Sequence, residues 1–167
     1  MKEYKVKVFA NRVEWYFEGK LHREGGPAIE YVNGDKFWIK NGLTHRENGP
    51  AAEYADGTKE WWNNGLRHRE GGPAVEYSDG DKWWYKNDLL YREDGPAVEY
   101  ANGDKYWYKN NLLHREDGPA IECINGDSYW YLEGKQLSEK DFNKLIQAAP
   151  TCENKCIEVK GVKCLIF

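Results

Sequence analysis

The sequence repeats a group of three side chains that could carry acid–base chemistry. His22-Arg23-Glu24 is the first copy, and His-Arg-Glu returns at 45–47, 68–70 and 114–116. A histidine can transfer a proton near neutral pH, with a carboxylate and a guanidinium to orient it. A catalytic group is needed once, however, whereas a packing contact is needed in every repeat. Tyr91 stands where the fourth histidine would be, which suits a stack of rings better than a proton relay. The pattern predicts a structural role, no catalytic residue and no enzyme activity.

Four cysteines suggest a second chemistry, a zinc site. They are Cys123, Cys152, Cys156 and Cys164. Thiolates are common zinc ligands, but the spacing lacks the two C-x2-C pairs that are typical of a structural zinc site. Buried thiols are the favoured interpretation of the three cysteines in the tail, and zinc is the alternative. We therefore predict no metal site and no cofactor, which a bound-metal analysis of the purified protein would check.

Aromatic side chains could bind a ligand or a partner by stacking, and the sequence has eight Trp, twelve Tyr and five Phe. One set recurs every 23 residues and, with the histidines, predicts a structural ladder of Trp38, Trp61, Trp84, Trp107, His45, His68 and His114. The residues that flank each of these Trp vary between repeats. If the ladder is buried, the flanking aromatics are exposed, and exposed Tyr and Trp near Arg are typical of interfaces. The candidate binding face is therefore Trp62, Trp83, Tyr85, Tyr106 and Tyr108 with Arg69, Arg92 and Arg115.

The elements that must position these residues are 23-residue repeats. Trp, Arg, Glu and the dipeptide Gly-Pro all recur at this interval, which indicates a repeat architecture. Each unit has two turn signals, such as Asn-Gly at 33–34 and at 41–42, and the second decays to Asn87-Asp88 and Asn110-Asn111. Asn-Gly closes two-residue hairpins, and the Tyr-, Trp- and Val-rich runs between the turns favour strands. We expect an all-β, stacked array of antiparallel β-hairpins that forms an extended, twisted sheet.

Two-residue turns would fix the register of the strands. A turn at 33–34 places Ile29 opposite Trp38, and a turn at 41–42 places Trp38 opposite His45. This register predicts a Tyr–Trp–His ladder on one face of the sheet and a Glu–Arg ladder on the other. The repeated Arg and Glu would then neutralise each other across neighbouring repeats.

The end of the chain differs from the repeats, as the end of a repeat array must. Ser138 is a candidate N-cap for a capping helix at 138–149, and apolar residues alternate over 156–167 as in a terminal hairpin. The sequence thus divides into a repeat array at 1–137 and a C-terminal cap at 138–167.

Composition excludes several classes of protein. The aromatic content of 15% argues against a disordered chain, and the net charge of −4 argues against a nucleic-acid duplex as partner. No apolar run is long enough for a membrane span, and the first residues lack the apolar core of a signal peptide. We expect a cytoplasmic protein, and a homo-oligomer stays open because an array has two sheet ends.

The phased Trp and Tyr, the Asn-Gly turns and the paired glycines resemble MORN-type repeats, in the variant form found in bacterial, phage and viral proteins. The resemblance covers roughly residues 7–137, although the His-Arg-Glu-x-Gly-Pro-Ala core departs from the usual Tyr-x-Gly. The resemblance implies an extended sheet that serves as a binding platform without chemistry. It favours a protein-binding adaptor or an immunity inhibitor. The alternative is a binder or sponge for a nucleotide or sugar, held by Trp, Tyr, Arg and Lys.

Overall fold

A computed structural model describes residues 3–148, 156–159 and 162–165. It confirms the predicted fold class, because nearly all of its elements are strands of antiparallel hairpins. The described residues form one helix, α1 (Glu139–Ala148), which follows the repeats.

The strands are short, and most have two residues. In chain order they are β1 Lys5–Val8, β2 Arg12–Phe17, β3 Lys20–Leu21, β4 Ile29–Tyr31, β5 Lys36–Phe37, β6 Ile39–Lys40, β7 Leu43–Thr44, β8 Ala52–Glu53, β9 Lys59–Glu60, β10 Trp62–Asn63, β11 Leu66–Arg67, β12 Val75–Glu76, β13 Lys82–Trp83, β14 Tyr85–Lys86, β15 Leu89–Leu90, β16 Val98–Glu99, β17 Lys105–Tyr106, β18 Tyr108–Lys109, β19 Leu112–Leu113, β20 Ile121–Glu122, β21 Ser128–Leu132, β22 Lys135–Leu137, β23 Cys156–Val159 and β24 Val162–Leu165.

Each repeat contributes to two rows of structure. One pair of strands joins a 14-stranded sheet, whose order is β1-β2-β4-β5-β8-β9-β12-β13-β16-β17-β20-β21-β22, with β3 beside β2. A second pair forms a small hairpin outside that sheet, as in β6-β7, β10-β11, β14-β15 and β18-β19. A two-residue strand is too short to be stable alone. Every repeat therefore depends on hydrogen bonds to its neighbours.

The predicted register at the first turn of each repeat is wrong by one residue. Gly34 N donates to Tyr31 O at 3.0 Å, and Tyr31 N donates to Asp35 O at 2.9 Å. The loop therefore has three residues and ends on Gly34 with φ of 104°, as in a type I turn followed by a bulge. Ile29 consequently pairs with Phe37 and not with Trp38. A one-residue shift exchanges the two faces.

The second turn of each repeat has the two-residue form that the sequence predicted. Asn41 and Gly42 have φ of 53° and 84°, the left-handed pair that a two-residue hairpin requires. Lys40 pairs with Leu43 across this turn. Beyond that pair, His45 N donates to Trp38 O at 3.0 Å, so these residues lie opposite each other as expected.

An arginine clamp closes each repeat. The guanidinium of Arg69 lies 3.7 Å from the ring centre of Trp61. It donates to Pro73 O at 3.0 Å and to Glu76 Oε1 at 2.6 Å. Gly72 lies beside it, where a Cβ would approach Arg69 Cζ to 3.1 Å. The equivalent arginines, each on its own Trp at 3.8 to 4.2 Å, are Arg23, Arg46, Arg92 and Arg115.

The arginine clamp shows that two predictions were wrong, the separate Glu–Arg face and the pairing of Arg with Glu across neighbouring repeats. Arg69 and Glu76 share the side of the phased Trp61, so Glu and Arg do not form a ladder on a separate face. The pair also lies within one repeat instead of bridging two. The residues that bridge strands on this side are Glu and Lys: Lys59 lies opposite Glu53 and Glu76, and the alternation continues until Ser128 takes the place of Lys. Opposite charges in such pairs stabilise a sheet.

Neighbouring repeats are joined at the turns. Gly65 N donates to Thr44 O at 2.9 Å. In the next repeat Asp88 replaces this glycine, keeps the left-handed backbone with φ of 62°, and adds a contact: its Oδ1 accepts from Arg67 N at 3.1 Å and Arg67 Nε at 2.8 Å. Asn111 Oδ1 likewise accepts from Leu90 N at 2.6 Å. The departures from glycine at these turns thus strengthen the junctions between repeats.

The C-terminal cap follows the sequence prediction in part. Ser138 Oγ accepts from Asp141 N at 3.1 Å and so caps α1. Phe142 is buried at 3% exposure, whereas Leu145 on the same helix is 51% exposed. Strands β23 and β24 form the expected hairpin, while position 149 of the predicted helix lies outside the described residues. Across the described ranges, no helix combines the length and apolarity that crossing a bilayer requires.

Replacing Gly72 by Ala should destabilise the protein by about 1–3 kcal/mol, because the added methyl group would lie 3.1 Å from Arg69 Cζ and would push the guanidinium off Trp61 and Glu76. In an Arg69→Ala background the same change should be neutral or slightly stabilising, because no guanidinium has to move. Urea unfolding of the four proteins of this cycle measures both values. An equal cost of Gly72→Ala in both backgrounds would contradict the arginine clamp.

Candidate functional site

Aromatic rings pack along the side of the sheet opposite the arginine clamp. Trp83 is central: its ring centre lies 5.7 Å from that of Tyr77 and 6.4 Å from that of Tyr100, and Tyr100 lies 5.3 Å from Tyr106. Tyr85 stacks on Trp83 at 6.3 Å. We define the aromatic face as Trp62, Tyr77, Trp83, Tyr85, Tyr100, Tyr106 and Tyr108.

The aromatic face is both core and surface. Tyr85 is 7% exposed and packs with Val75, Trp83 and Leu90, whereas Tyr77 is 36% exposed. The indole N–H of Trp83 is buried without a hydrogen-bond partner. The predicted binding residues Trp62, Trp83, Tyr106 and Tyr108 are half-buried. They are therefore not the fully exposed set that the sequence suggested. The register shift brings Trp83 and Tyr106 beside the tyrosines of the sheet.

The cation of this face is Arg67, which the sequence analysis missed. Its guanidinium lies 4.1 Å from the ring centre of Tyr85 and 5.7 Å from that of Trp62. Asp88 holds it through Nε, and Glu60 accepts from Trp62 Nε1 at 2.8 Å. The sequence does mark Arg67 as different from its neighbours, because the equivalent positions in the other repeats hold Thr44, Leu90 and Leu113.

The arginines that were predicted for the binding face lie elsewhere. Arg69, Arg92 and Arg115 stack on Trp61, Trp84 and Trp107 in the arginine clamps. The structure therefore separates them from Trp83 and Tyr106, with which the sequence grouped them.

Two of the three histidines in the predicted ladder accept hydrogen bonds between repeats. His45 Nδ1 accepts from Asn64 N at 3.2 Å, and His114 Nδ1 accepts from Glu133 N at 3.1 Å. His68 Nδ1 is buried without a partner. An Nδ1 that accepts from a backbone N–H uses the lone pair that a general base would need. These contacts favour the structural role that their repetition predicted.

Four similar grooves lie between successive copies of the His-Arg-Glu segment, the fourth of which is Tyr91-Arg92-Glu93. Their volumes are 400, 470, 490 and 590 Å³. The largest is lined by Tyr91, Trp107 and Lys109 together with Arg92 and Arg115. Both arginines are already paired: Arg92 donates to Glu99 at 2.7 Å, and Arg115 donates to Asp117 at 2.7 Å. The hydrogen bond from Arg115 holds the pKa of Asp117 below its usual value. A phosphate would have to displace these carboxylates.

Burial sets the proton affinity of the tyrosines in and beside the aromatic face. It raises the pKa of Tyr54 to about 12, with smaller contributions from Glu60 and Asp35. The pKa values of Tyr77 and Tyr100 are also raised, and burial is again the largest cause. At neutral pH these phenols are therefore neutral hydrogen-bond donors.

Metal ligands do not converge in the part of the chain that the structure describes, where no group of three His, Cys, Asp or Glu could hold an ion. Cys123 is a half-buried free thiol, and burial raises its pKa. Cys156 and Cys164 lie on paired strands β23 and β24, and Cys152 lies outside the described residues. The zinc alternative for the tail therefore stays open to elemental analysis.

Comparison with protein families and with curated proteins found no relative of this chain. No protein-family model matches the chain, and a search of curated proteins also found no match. The site is thus interpreted from its own geometry.

Raising the pH from 10 toward 12 should lower the free energy of unfolding. An unfolded tyrosine titrates near pH 10, whereas folded Tyr54 keeps its proton to about pH 12. The stability that this difference contributes is complete below pH 10 and is lost as the pH rises through that window. Urea unfolding between pH 8 and pH 11 measures it, and Tyr54→Phe should decline less steeply. Equal slopes for the two proteins would show that Tyr54 is not protected by burial.

Proposed function

We propose that this protein is a non-enzymatic binding module that recognises another protein through its aromatic face, on a MORN-like repeat scaffold. The observation that carries the proposal is the ring network around Trp83, half-exposed and joined by Arg67. Trp, Tyr and Arg are the residues that contribute most energy at protein interfaces. Rings that are already fixed by their neighbours also lose little entropy when a partner binds.

The other side of the sheet supports the choice of a binding role over an enzymatic one. Each Arg is held by Trp, Glu and a Pro carbonyl. His45 and His114 accept backbone hydrogen bonds, whereas His68 Nδ1 is buried without a partner. The arginine contacts recur in every repeat, so no arginine is set apart for a reaction. The proposal places the protein in the cytoplasm as an adaptor or as an inhibitor in phage, viral or bacterial immunity.

The alternative is a small-molecule binder that uses the grooves. The observation in its favour is the groove of 590 Å³, where Tyr91 and Trp107 lie near Arg92, Lys109 and Arg115. Its cations face Asp117 and Glu99 as well, which favours a neutral ligand such as a sugar over a nucleotide. The alternative therefore makes a prediction of its own, that Tyr91 contacts the ligand.

Native mass spectrometry of the protein recovered gently from a lysate tests both candidates, with two matched variants. Tyr77→Ser removes an exposed ring of the aromatic face, and Tyr91→Ser removes a ring from the grooves. We expect a bound protein whose affinity falls about tenfold or more in Tyr77→Ser, as for an interface residue worth about 2 kcal/mol. Tyr91→Ser should bind normally.

Two results would count against the proposed function. A retained mass of a few hundred daltons that Tyr91→Ser loses would favour the ligand alternative. A protein partner that both variants bind as well as the parent does would place the interface outside the aromatic face. Circular dichroism and thermal melting of each variant keep a folding defect apart from a binding defect.

A further inference from the structure

Among the described residues, one end of the aromatic face has rings with no arginine or lysine stacked on them. At the other end Arg67 supplies the cation, 4.1 Å from the ring centre of Tyr85. One repeat later, 23 residues along the chain, Leu90 stands in the place of Arg67 and Tyr108 in the place of Tyr85. The ring is thus repeated, whereas the guanidinium is not.

Three rings form the end of the face that lacks a cation. The ring centre of Tyr100 lies 6.4 Å from that of Trp83 and 5.3 Å from that of Tyr106. All three residues are half-buried, so part of each stays accessible to a partner. We call Trp83, Tyr100 and Tyr106 the ring triad.

Two carboxylates border the ring triad. Asp81 Oδ1 accepts from Ala101 N, the residue after Tyr100, at 2.8 Å. Asp104 lies across the hairpin from Tyr100, whose backbone N donates to Asp104 O at 3.0 Å. Within the part of the chain that the structure describes, no Lys or Arg forms an ion pair with either carboxylate. Both negative charges are therefore free to attract a cation from outside.

The charge around Tyr100 differs from the charge around Tyr77. Burial first, and then Asp81 and Asp104, raises the pKa of Tyr100, and no described cation opposes them. Burial also raises the pKa of Tyr77, but there Arg67 acts in the opposite direction. The negative potential at Tyr100 is therefore not offset, and it adds to the negative faces of the rings.

Arginine is the cation that this protein itself combines with rings and carboxylates. Arg67 stacks on Tyr85, and Asp88 accepts from its Nε at 2.8 Å. Each arginine clamp likewise joins a Trp ring to a Glu carboxylate. A guanidinium can stack its flat face on a ring while its N–H groups donate to a carboxylate. Rings and carboxylates that lack a cation therefore suit an arginine from another molecule.

We propose that the ring triad, with Asp81 and Asp104, binds an arginine side chain of the protein partner. The guanidinium stacks on the rings and pairs with the carboxylates, as Arg67 does with Tyr85 and Asp88. This inference rests on the proposed function for the partner protein, but the site itself can be tested with arginine alone.

An NMR titration at low salt with N-acetylarginine N-methylamide tests the site. N-acetylcitrulline N-methylamide has nearly the same shape without the charge and is the control probe. We expect the arginine probe to shift the signals of the ring triad, including the indole N–H of Trp83, with a Kd of about 10 mM or tighter. The citrulline probe should bind at least about fivefold more weakly.

A matched pair of double variants tests the carboxylates. Asp81→Asn with Asp104→Asn keeps the acceptor oxygens, removes both charges and should weaken the arginine probe about fivefold. The control, Asp94→Asn with Asp117→Asn, makes the same change of net charge in the loops that follow His-Arg-Glu and Tyr-Arg-Glu, where the second repeat already has Asn48. The control should bind the probe within about twofold of the parent, because salt screens distant charges.

A second pair of variants tests the ring. Tyr100→Leu removes it and should weaken the arginine probe about fivefold, whereas Tyr100→Phe keeps it and should bind within about twofold of the parent. Thermal melting of every variant keeps a folding defect apart from a binding defect.

The possible outcomes separate the arginine site from the proposed function. An arginine probe that binds no better than citrulline up to about 50 mM, or that binds the Asp81, Asp104 variant as well as the parent, would overturn the arginine site. A protein partner that binds this variant and the parent equally would overturn the arginine site and leave the proposed function. An arginine probe that binds the ring triad, in a protein that recovers no partner, would support the site and count against the proposed function alone.

Discussion

One guanidinium per repeat determines most of this structure. Arg69 lies on Trp61 and donates to Glu76 and to the carbonyl of Pro73. A stacked, doubly hydrogen-bonded guanidinium is among the stronger surface contacts that a protein can make. It leaves little room beside it, because a Cβ at Gly72 would lie 3.1 Å from Arg69 Cζ. The invariant spacing of Trp, Arg, Gly-Pro and Glu thus follows from one contact repeated five times.

The arginine clamp also divides the molecule into a closed side and an open side. It engages the phased Trp, the Arg and the Glu, and Lys59 and its equivalents complete the charge pairing there. The rings on the other side pack on each other, on Arg67 and on the apolar side chains of Val75 and Leu90. A single-layer sheet cannot bury both faces. The aromatic face therefore stays half-exposed, while the arginine clamp closes the other side.

The sequence alone predicted the repeat, the hairpins, the capped helix and the turn at Asn41-Gly42, because each depends on local residue preferences. It could not predict the register at Asn33-Gly34, where a hydrogen bond from Tyr31 N to Asp35 O selects a three-residue loop. That single bond decides which face each side chain occupies. Arg67 was missed because the candidate residues were chosen from positions that recur in every repeat, whereas this position holds an arginine in one repeat and Thr or Leu in the others.

Removing one complete repeat tests most directly whether each unit is closed by its own clamp and joined only to its neighbours. Deleting the 23 residues 54–76 joins Glu53 to Tyr77 and restores the order of the sequence. This protein should keep a β-sheet circular dichroism spectrum and a cooperative melt at a lower temperature. Deleting the 22 residues 54–75 shifts the register by one and should abolish the melt. Equal stability of the two deletions, or unfolding of the 23-residue deletion, would contradict this account.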